Sequence, residues 1–255
     1  MIPMTPYLAP VVFQPSGSSL SPIDKPEVLR YLGYGGTAPN PATDALVDRC
    51  IDELTKEVRP RAVYAAFPLV KSSAFSEEPG ALTLDGCSLA LPGEDIAAHL
   101  AGCHTAVLLC ATLSMQADAL IRRRQVQDVT AGLVMDCCAT TLVEQLCDEV
   151  ERQVKPLFGE EGRPAGFTTR FSPGYGDLPL SIQAAFLAAL DAPRKIGLCV
   201  TDSDILTPRK SVTAVFGVTD AAPSDPRTGC ARCSLRGNCA FRRKGEFCGL
   251  SHTAE

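Results

Sequence analysis

The chain reads as an α+β domain, a mixed sheet with flanking helices, followed by a small cysteine-rich tail. Two observations predict the domain. Strand and helix patterns are interspersed without a steady βαβ alternation, and no glycine-rich phosphate loop opens a helix, which disfavours a Rossmann arrangement. Thr105–Leu113 is a continuous apolar run and the best candidate for a central strand. A third observation predicts the tail: from Ala221 the composition turns linker-like, and four cysteines follow within nineteen residues. With 255 residues, 45% of them hydrophobic, the chain can bury one substantial core. The expected organisation is an irregular arm over 1–25, the α+β domain over 26–220, and linker plus tail over 221–255.

The arm carries five prolines (Pro3, Pro6, Pro10, Pro15, Pro22), with a short strand expected around Pro10–Phe13. Pro26 suits a first helical turn, and Glu27–Leu32 is expected to be helical up to Gly33. Asn40-Pro41 is a cap followed by proline, and Leu46, Val47, Cys50, Ile51, Leu54 and Val58 form a helical stripe. Arg61–Leu69 reads as a strand. Ala81–Leu91 is strand material broken by Asp85-Gly86, a hairpin signal. Pro92–Asp95 opens a helix through Ala101, with acids in its first turn.

Met115–Arg124 and Thr130–Leu157 read as helices. The second carries one apolar stripe: Ala139, Leu142, Val143, Leu146, Val150, Val154 and Leu157. Glu144 sits at the edge of that stripe, where it either faces a cleft or belongs to a solvated face. Thr168–Ser172 is expected to be a strand entering a turn. Leu180–Leu190 is expected to be a helix, and Ile196–Thr201 and Ser211–Thr219 strands.

The formal net charge of −5 argues against a dedicated nucleic-acid binder. No apolar run of about 18 residues is present for a membrane span. The start, MIPMTPYLAP, lacks a basic n-region, so a cytoplasmic protein is expected. Eight of the twelve cysteines (Cys50, Cys87, Cys103, Cys110, Cys137, Cys138, Cys147, Cys199) are scattered through apolar segments, where a thiol packs as a small hydrophobe.

The other four are spaced Cys230-x2-Cys233-x5-Cys239-x8-Cys248. A C-x-x-C knuckle lets two thiolates share one ion, and two further thiols complete four-coordination. Zinc and an iron–sulfur cluster both remain open; disulfides are the alternative that a reducing compartment disfavours. Between Arg227 and Gly245 lie Arg227, Arg232, Arg236, Arg242, Arg243 and Lys244, with no acid among them. Positive charge favours the thiolate and offers a docking patch for an acidic partner.

The remaining specific chemistry gathers at Arg170–Leu178. Ser172 precedes a proline and is pushed to extended geometry. Pro173-Gly174 fits the centre of a type II turn, where glycine supplies the positive φ. Such a turn holds a guanidinium (Arg170) and a phenol (Tyr175) near exposed backbone. Arginine pairs bidentately with carboxylates and a tyrosine face accommodates a cation, so a ligand with an α-carboxylate and a positive centre suits the pair. An ordinary surface turn with a solvated arginine is the alternative.

Arg170-Phe171-Ser172-Pro173-Gly174-Tyr175 resembles the R-x-x-x-G-Y signature of the S-adenosylmethionine-binding activation domain of cobalamin-dependent methionine synthase. Upstream, Gly102–Leu109, Ala111-Thr112-Leu113, Asp118, Leu120–Arg123, Val143-Glu144 and Cys147-Asp148-Glu149 are similar to the short, free-standing relatives of that domain. Leu29-Arg30-Tyr31-Leu32-Gly33-Tyr34 resembles their N-terminal signature. The likeness spans roughly Leu29 to Val218.

The resemblance implies the activation-domain fold and S-adenosylmethionine bound at Glu144, Arg170, Ser172, Gly174 and Tyr175. It assigns Arg170 to the ligand carboxylate, Glu144 to a cationic group and Tyr175 to the pocket wall, with no catalytic residue. It also implies a separate corrinoid-binding methyltransferase, whose cobalamin is reductively methylated, and an electron donor such as a flavodoxin or ferredoxin. His99-Leu-Ala-Gly102 matches half of the cobalamin-binding D-x-H-x-x-G, but Ala97 stands where Asp is required. The C-x3-C-x2-C pattern of radical S-adenosylmethionine enzymes is absent. The competing class is a metal- or cluster-binding electron-transfer or docking module.

Overall fold

Strand alternation decides the layering. The computed structural model describes residues 7–15, 20, 22–34, 38–70, 81–160 and 163–220. β1 (Leu8–Phe13) is followed by helices α1 (Lys25–Tyr31) and α2 (Pro41–Glu57), then β2 (Arg61–Val70) and the hairpin β3 (Leu82–Leu84) and β4 (Cys87–Leu91). α3 (Glu94–His99), β5 (Thr105–Thr112), α4 (Met115–Gln127) and the 26-residue α5 (Val129–Val154) come next. Short strands β6 (Gly159–Glu160), β7 (Arg163–Pro164) and β8 (Gly166–Phe167) lead to α6 (Gln183–Leu190) and α7 (Ala192–Ile196). β9 (Cys199–Val200), β10 (Leu206–Thr207) and β11 (Ser211–Thr219) complete the domain.

The main sheet is antiparallel, in the order β4-β3-β2-β5-β11-β8, with β1 also paired to β2. Because side chains alternate along a strand, each central strand feeds two cores. Ala62, Tyr64, Ala66, Val107, Leu109, Ala111, Phe216 and Val218 join the core beneath α1, α2, α4 and α5. Val63, Ala65, Phe67, Ala106, Leu108, Cys110 and Val215 join the opposite core, with Ile96 of α3, Phe186 of α6 and Ile196 of α7. Every residue of β5 is buried, which makes the Thr105–Leu113 run the central strand. This is the expected α+β architecture, with helices covering both faces.

Several local readings differ. Where a strand over Thr168–Ser172 was expected there is only an isolated Phe171–Val215 bridge, the strand β8 ending before it at Phe167. The Thr168 hydroxyl accepts the Gly217 N–H at 2.8 Å, taking a ladder position that a carbonyl would otherwise fill. Helix α5 ends at Val154, since Pro156 cannot continue it; Lys155–Leu157 is a 3-10 turn and Leu157 is exposed. Ile196 closes a helix rather than opening a strand: Pro193 lies in the first turn of α7 and Gly197, at φ 73°, ends it, the usual proline-first, glycine-last arrangement. Leu180–Ile182 is a 3-10 turn leading into α6. Six of the eight scattered cysteines are buried as expected, but Cys87 is half-buried and Cys199 exposed.

Candidate functional site

The turn at 170–178 is fixed from three sides. Phe171 exchanges both backbone hydrogen bonds with Val215 of β11, each at 2.8 Å. Tyr175 N–H donates to Ser172 O at 3.0 Å and Gly174 has φ 94°, as a type II turn centred on Pro173-Gly174 requires. Asp177 then accepts from the backbone N–H groups of Glu94 (2.6 Å) and Asp95 (3.1 Å), capping α3. A β-carbon on Gly93 would lie 2.8 Å from the Asp177 carboxyl carbon, so this junction needs glycine. His99 of α3 packs against Phe171 with centroids 5.1 Å apart and the rings tilted by 47°, and its Nε2–H donates to Thr169 O at 2.7 Å.

So anchored, Arg170 projects onto α5. Its Nη1 donates to Asp148 Oδ1 (2.8 Å) and Glu151 Oε1 (2.5 Å), and its Nη2 to Glu144 Oε2 (3.1 Å). Residues 144, 148 and 151 share one helical face, forming a ladder of carboxylates around one guanidinium. The carboxylates differ in accessibility. Glu151 is only 15% exposed and also pairs with Lys155 at 2.9 Å, whereas Glu144 is 42% and Asp148 57% exposed.

The charge balance follows. Arg170 and Lys155 face three carboxylates, leaving one net negative charge. Among the described residues, Nε–H and one Nη2–H of Arg170 have no acceptor. Burial raises the Glu144 pKa, against the lowering influence of the Arg170 charge, and the nearby Asp148 and Glu151 charges raise it further. Beneath them Cys147 is fully buried, and burial pushes its thiol well up, which makes it inert packing rather than a nucleophile.

Helix α1 supplies a neighbouring wall. Arg30 is held in a two-bond fork by Glu27 and lies 4.4 Å from the Tyr31 ring centroid. Burial raises the Tyr31 pKa, and the Glu144 and Glu27 charges raise it further against the lowering influence of Arg30. Gln145 ties the preceding segment down, donating to Pro22 O (3.0 Å) and accepting from Asp24 N–H (3.1 Å). A recess of ≈480 Å³ opens there, with Asp24, Gln145, Asp148, Glu149 and Arg152 in its lining.

Of the five residues expected at the ligand, the structure joins Arg170 and Glu144 directly. Ser172, Gly174 and Tyr175 form the adjoining turn, where Tyr175 is 61% exposed with its ring edge-on to Phe171 at 6.1 Å. Asp148 and Glu151 were not singled out as site residues, although the i, i+4, i+7 spacing of acids at 144, 148 and 151 was a readable signal. Cys230, Cys233, Cys239 and Cys248 lie outside the described residues. Among the described residues no group of three or more His, Cys, Asp or Glu is placed to hold a metal ion. No described helix is long and apolar enough to cross a membrane.

An antiparallel sheet clad in helices defines the class: an α+β domain with the reactivation-domain fold. The chain is similar to the crystal structure of the MetH reactivation domain bound to AdoHcy, with a TM-score of 0.61 over 94% of this chain and 86% of that one. At 14% identity the likeness is one of fold. No protein-family model and no curated protein matches the sequence.

Proposed function

We propose that this chain binds S-adenosylmethionine beside the Arg170 turn and serves as a reactivation component for a separate corrinoid methyltransferase of the methionine synthase type. One observation carries the reading: a domain of the same fold holds AdoHcy, the demethylated counterpart of that ligand. The chemistry of the Arg170 cluster supports it. S-adenosylmethionine combines an α-carboxylate, an ammonium and a sulfonium, so it carries one net positive charge. The spare N–H groups of Arg170 suit the carboxylate. The half-exposed Glu144 and Asp148 suit the cationic groups, and the net negative charge of the cluster favours the ligand as a whole. Gly174 and Ser172 offer backbone close to the ligand, and Tyr175 an exposed aromatic wall.

The reaction so served is the rescue of oxidised cobalamin on the partner. One electron returns cob(II)alamin to cob(I)alamin, whose cobalt takes the methyl group from the sulfonium. The C–S bond breaks, its electron pair stays on sulfur, and S-adenosylhomocysteine leaves. No general acid or base is needed; this chain supplies binding and orientation. The basic four-cysteine tail, read as a zinc or iron–sulfur centre, would dock an acidic electron donor such as a flavodoxin or ferredoxin.

The test mixes the full chain, a separate cob(II)alamin-loaded methyltransferase, an electron donor and methyl-labelled S-adenosylmethionine. Label should reach cobalt only when all four are present. Equally fast methylcobalamin formation without this chain overturns the reading in favour of a docking or electron-transfer module.

A further inference from the structure

A second recess lies apart from the Arg170 cluster. Gln14 and Pro15 after β1, Leu20, Pro22 and Ile23, the last two turns of α2 and Arg61 at the head of β2 line a cavity of ≈720 Å³, within the roughly 300–1,000 Å³ range of small-molecule sites. Its floor is apolar: Leu20, Ile23, Ile51, Val58 and Leu142. One wall is braced by the Gln145 bonds to Pro22 and Asp24.

The polar groups around it are Gln14, Asp52, Thr55, Lys56, Arg59 and Arg61. Thr55 Oγ1 is committed to Ile51 O at 2.8 Å. Arg59 Nη1 caps the end of α2, donating to the carbonyls of Lys56 (3.1 Å) and Val58 (2.9 Å). That bonding fixes the guanidinium and leaves Nε and Nη2 without an acceptor among the described residues. The acids of α2 that could neutralise this end are turned away: Glu53 and Glu57 pair with Arg123 (3.0 and 2.7 Å), and Glu53 also with Arg124 Nε (2.8 Å). Lys56, Arg59 and Arg61 therefore have no carboxylate partner among the described residues. Among the described residues Asp52 is the one carboxylate in the lining. A chain of net charge −5 thus carries, among the described residues, a local excess of two positive charges in the lining of a largely apolar cavity.

We propose that this cavity is a binding site for an amphipathic anion, an apolar chain or ring bearing one carboxylate or phosphate. The head is held by Arg59, Arg61 and Lys56, and the body covers Ile23, Ile51 and Leu142. Shape and charge point the same way. The apolar floor gains by losing water, and the cations select the sign of the head group. The site does not depend on the Arg170 cluster.

Calorimetry on the full chain with decanoate, decyl phosphate, decanol and decyltrimethylammonium tests this. At least one of the two anions should bind with one-to-one stoichiometry, roughly tenfold or more tighter than the neutral and cationic amphiphiles; the preference between the anions identifies the head group. The Lys56→Glu/Arg61→Glu variant should weaken anion binding by roughly tenfold or more. Thr55→Trp, which fills the mouth without changing charge, should abolish it while the circular dichroism spectrum is kept. Equal binding of all four amphiphiles, no binding of either anion, or wild-type anion affinity in a folded Thr55→Trp chain would overturn the proposal.

Discussion

Glu144 and Glu151 both bond Arg170 but differ in exposure, and the pair Glu144→Gln and Glu151→Gln tests whether holding the fold can be separated from holding the proposed ligand. Glu151 is largely buried and bridges Arg170 at 2.5 Å to Lys155 at 2.9 Å. Neutralising it removes a mostly desolvated partner of two cations, a loss of roughly 3 kcal/mol of stability. Glu144 is different. It is 42% exposed, and burial together with the Asp148 and Glu151 charges raises its pKa against the pull of Arg170. A carboxyl whose pKa rises on folding contributes stability that is complete below its unfolded pKa, about 4.3, and lost as pH rises through the folded one. At neutral pH its ionised form is therefore a cost to the fold, and glutamine copies the neutral form. Screening at a half-exposed site limits the effect to about 0.2–1 kcal/mol.

Glu144→Gln should thus be as stable as the wild type or slightly more so at pH 7, with the difference vanishing below pH ~4. Its affinity for S-adenosylmethionine should nevertheless fall, on the order of tenfold for one lost charge-assisted contact. Urea denaturation at several pH values and calorimetry at pH 7 read the two effects separately. A loss of stability above ~2 kcal/mol at pH 7, or unchanged ligand affinity, would refute the division of labour between the two glutamates.

Two further outcomes are expected. Gly174→Ala forces a side chain into φ 94°, with its β-carbon 3.1 Å from Leu180 Cδ2. It should lose about 1–2 kcal/mol and weaken ligand binding by shifting the turn that carries Arg170, as thermal melts and calorimetry would show. If the tail holds a metal, a chain ending at Pro223 should contain none while the full chain contains one centre. Elemental analysis of both decides the matter, and metal retained after truncation removes Cys230, Cys233, Cys239 and Cys248 from the assignment.

The main elements were legible because their signals were local. Asn40-Pro41 caps α2 as its sequence implies, Asp85-Gly86 turns the β3–β4 hairpin, and the apolar run from Thr105 became the buried central strand. What escaped depends on competition between local and tertiary bonds. The Thr168 hydroxyl replaces a ladder acceptor through its bond to Gly217, a partner 49 residues away, and nothing in the local pattern announces it. Helix α7 was hidden differently, by an apolar stretch around Ile196 that suits helix and strand alike, although Pro193 and Gly197 marked its ends. At the site, the turn chemistry of Pro173-Gly174 was readable. The partnership of Arg170 with Asp148 and Glu151 needed the packing of the turn against α5.

The claim at the centre is that Arg170 completes a site for S-adenosylmethionine, and calorimetry of the full chain with that ligand, beside Arg170→Lys, tests it most directly. One ligand should bind the wild type. Arg170→Lys keeps the charge facing α5 but loses the planar fork, and it should weaken binding on the order of 30-fold or more, about 2 kcal/mol. No binding to the wild type, or equal affinity in wild type and Arg170→Lys, would contradict it.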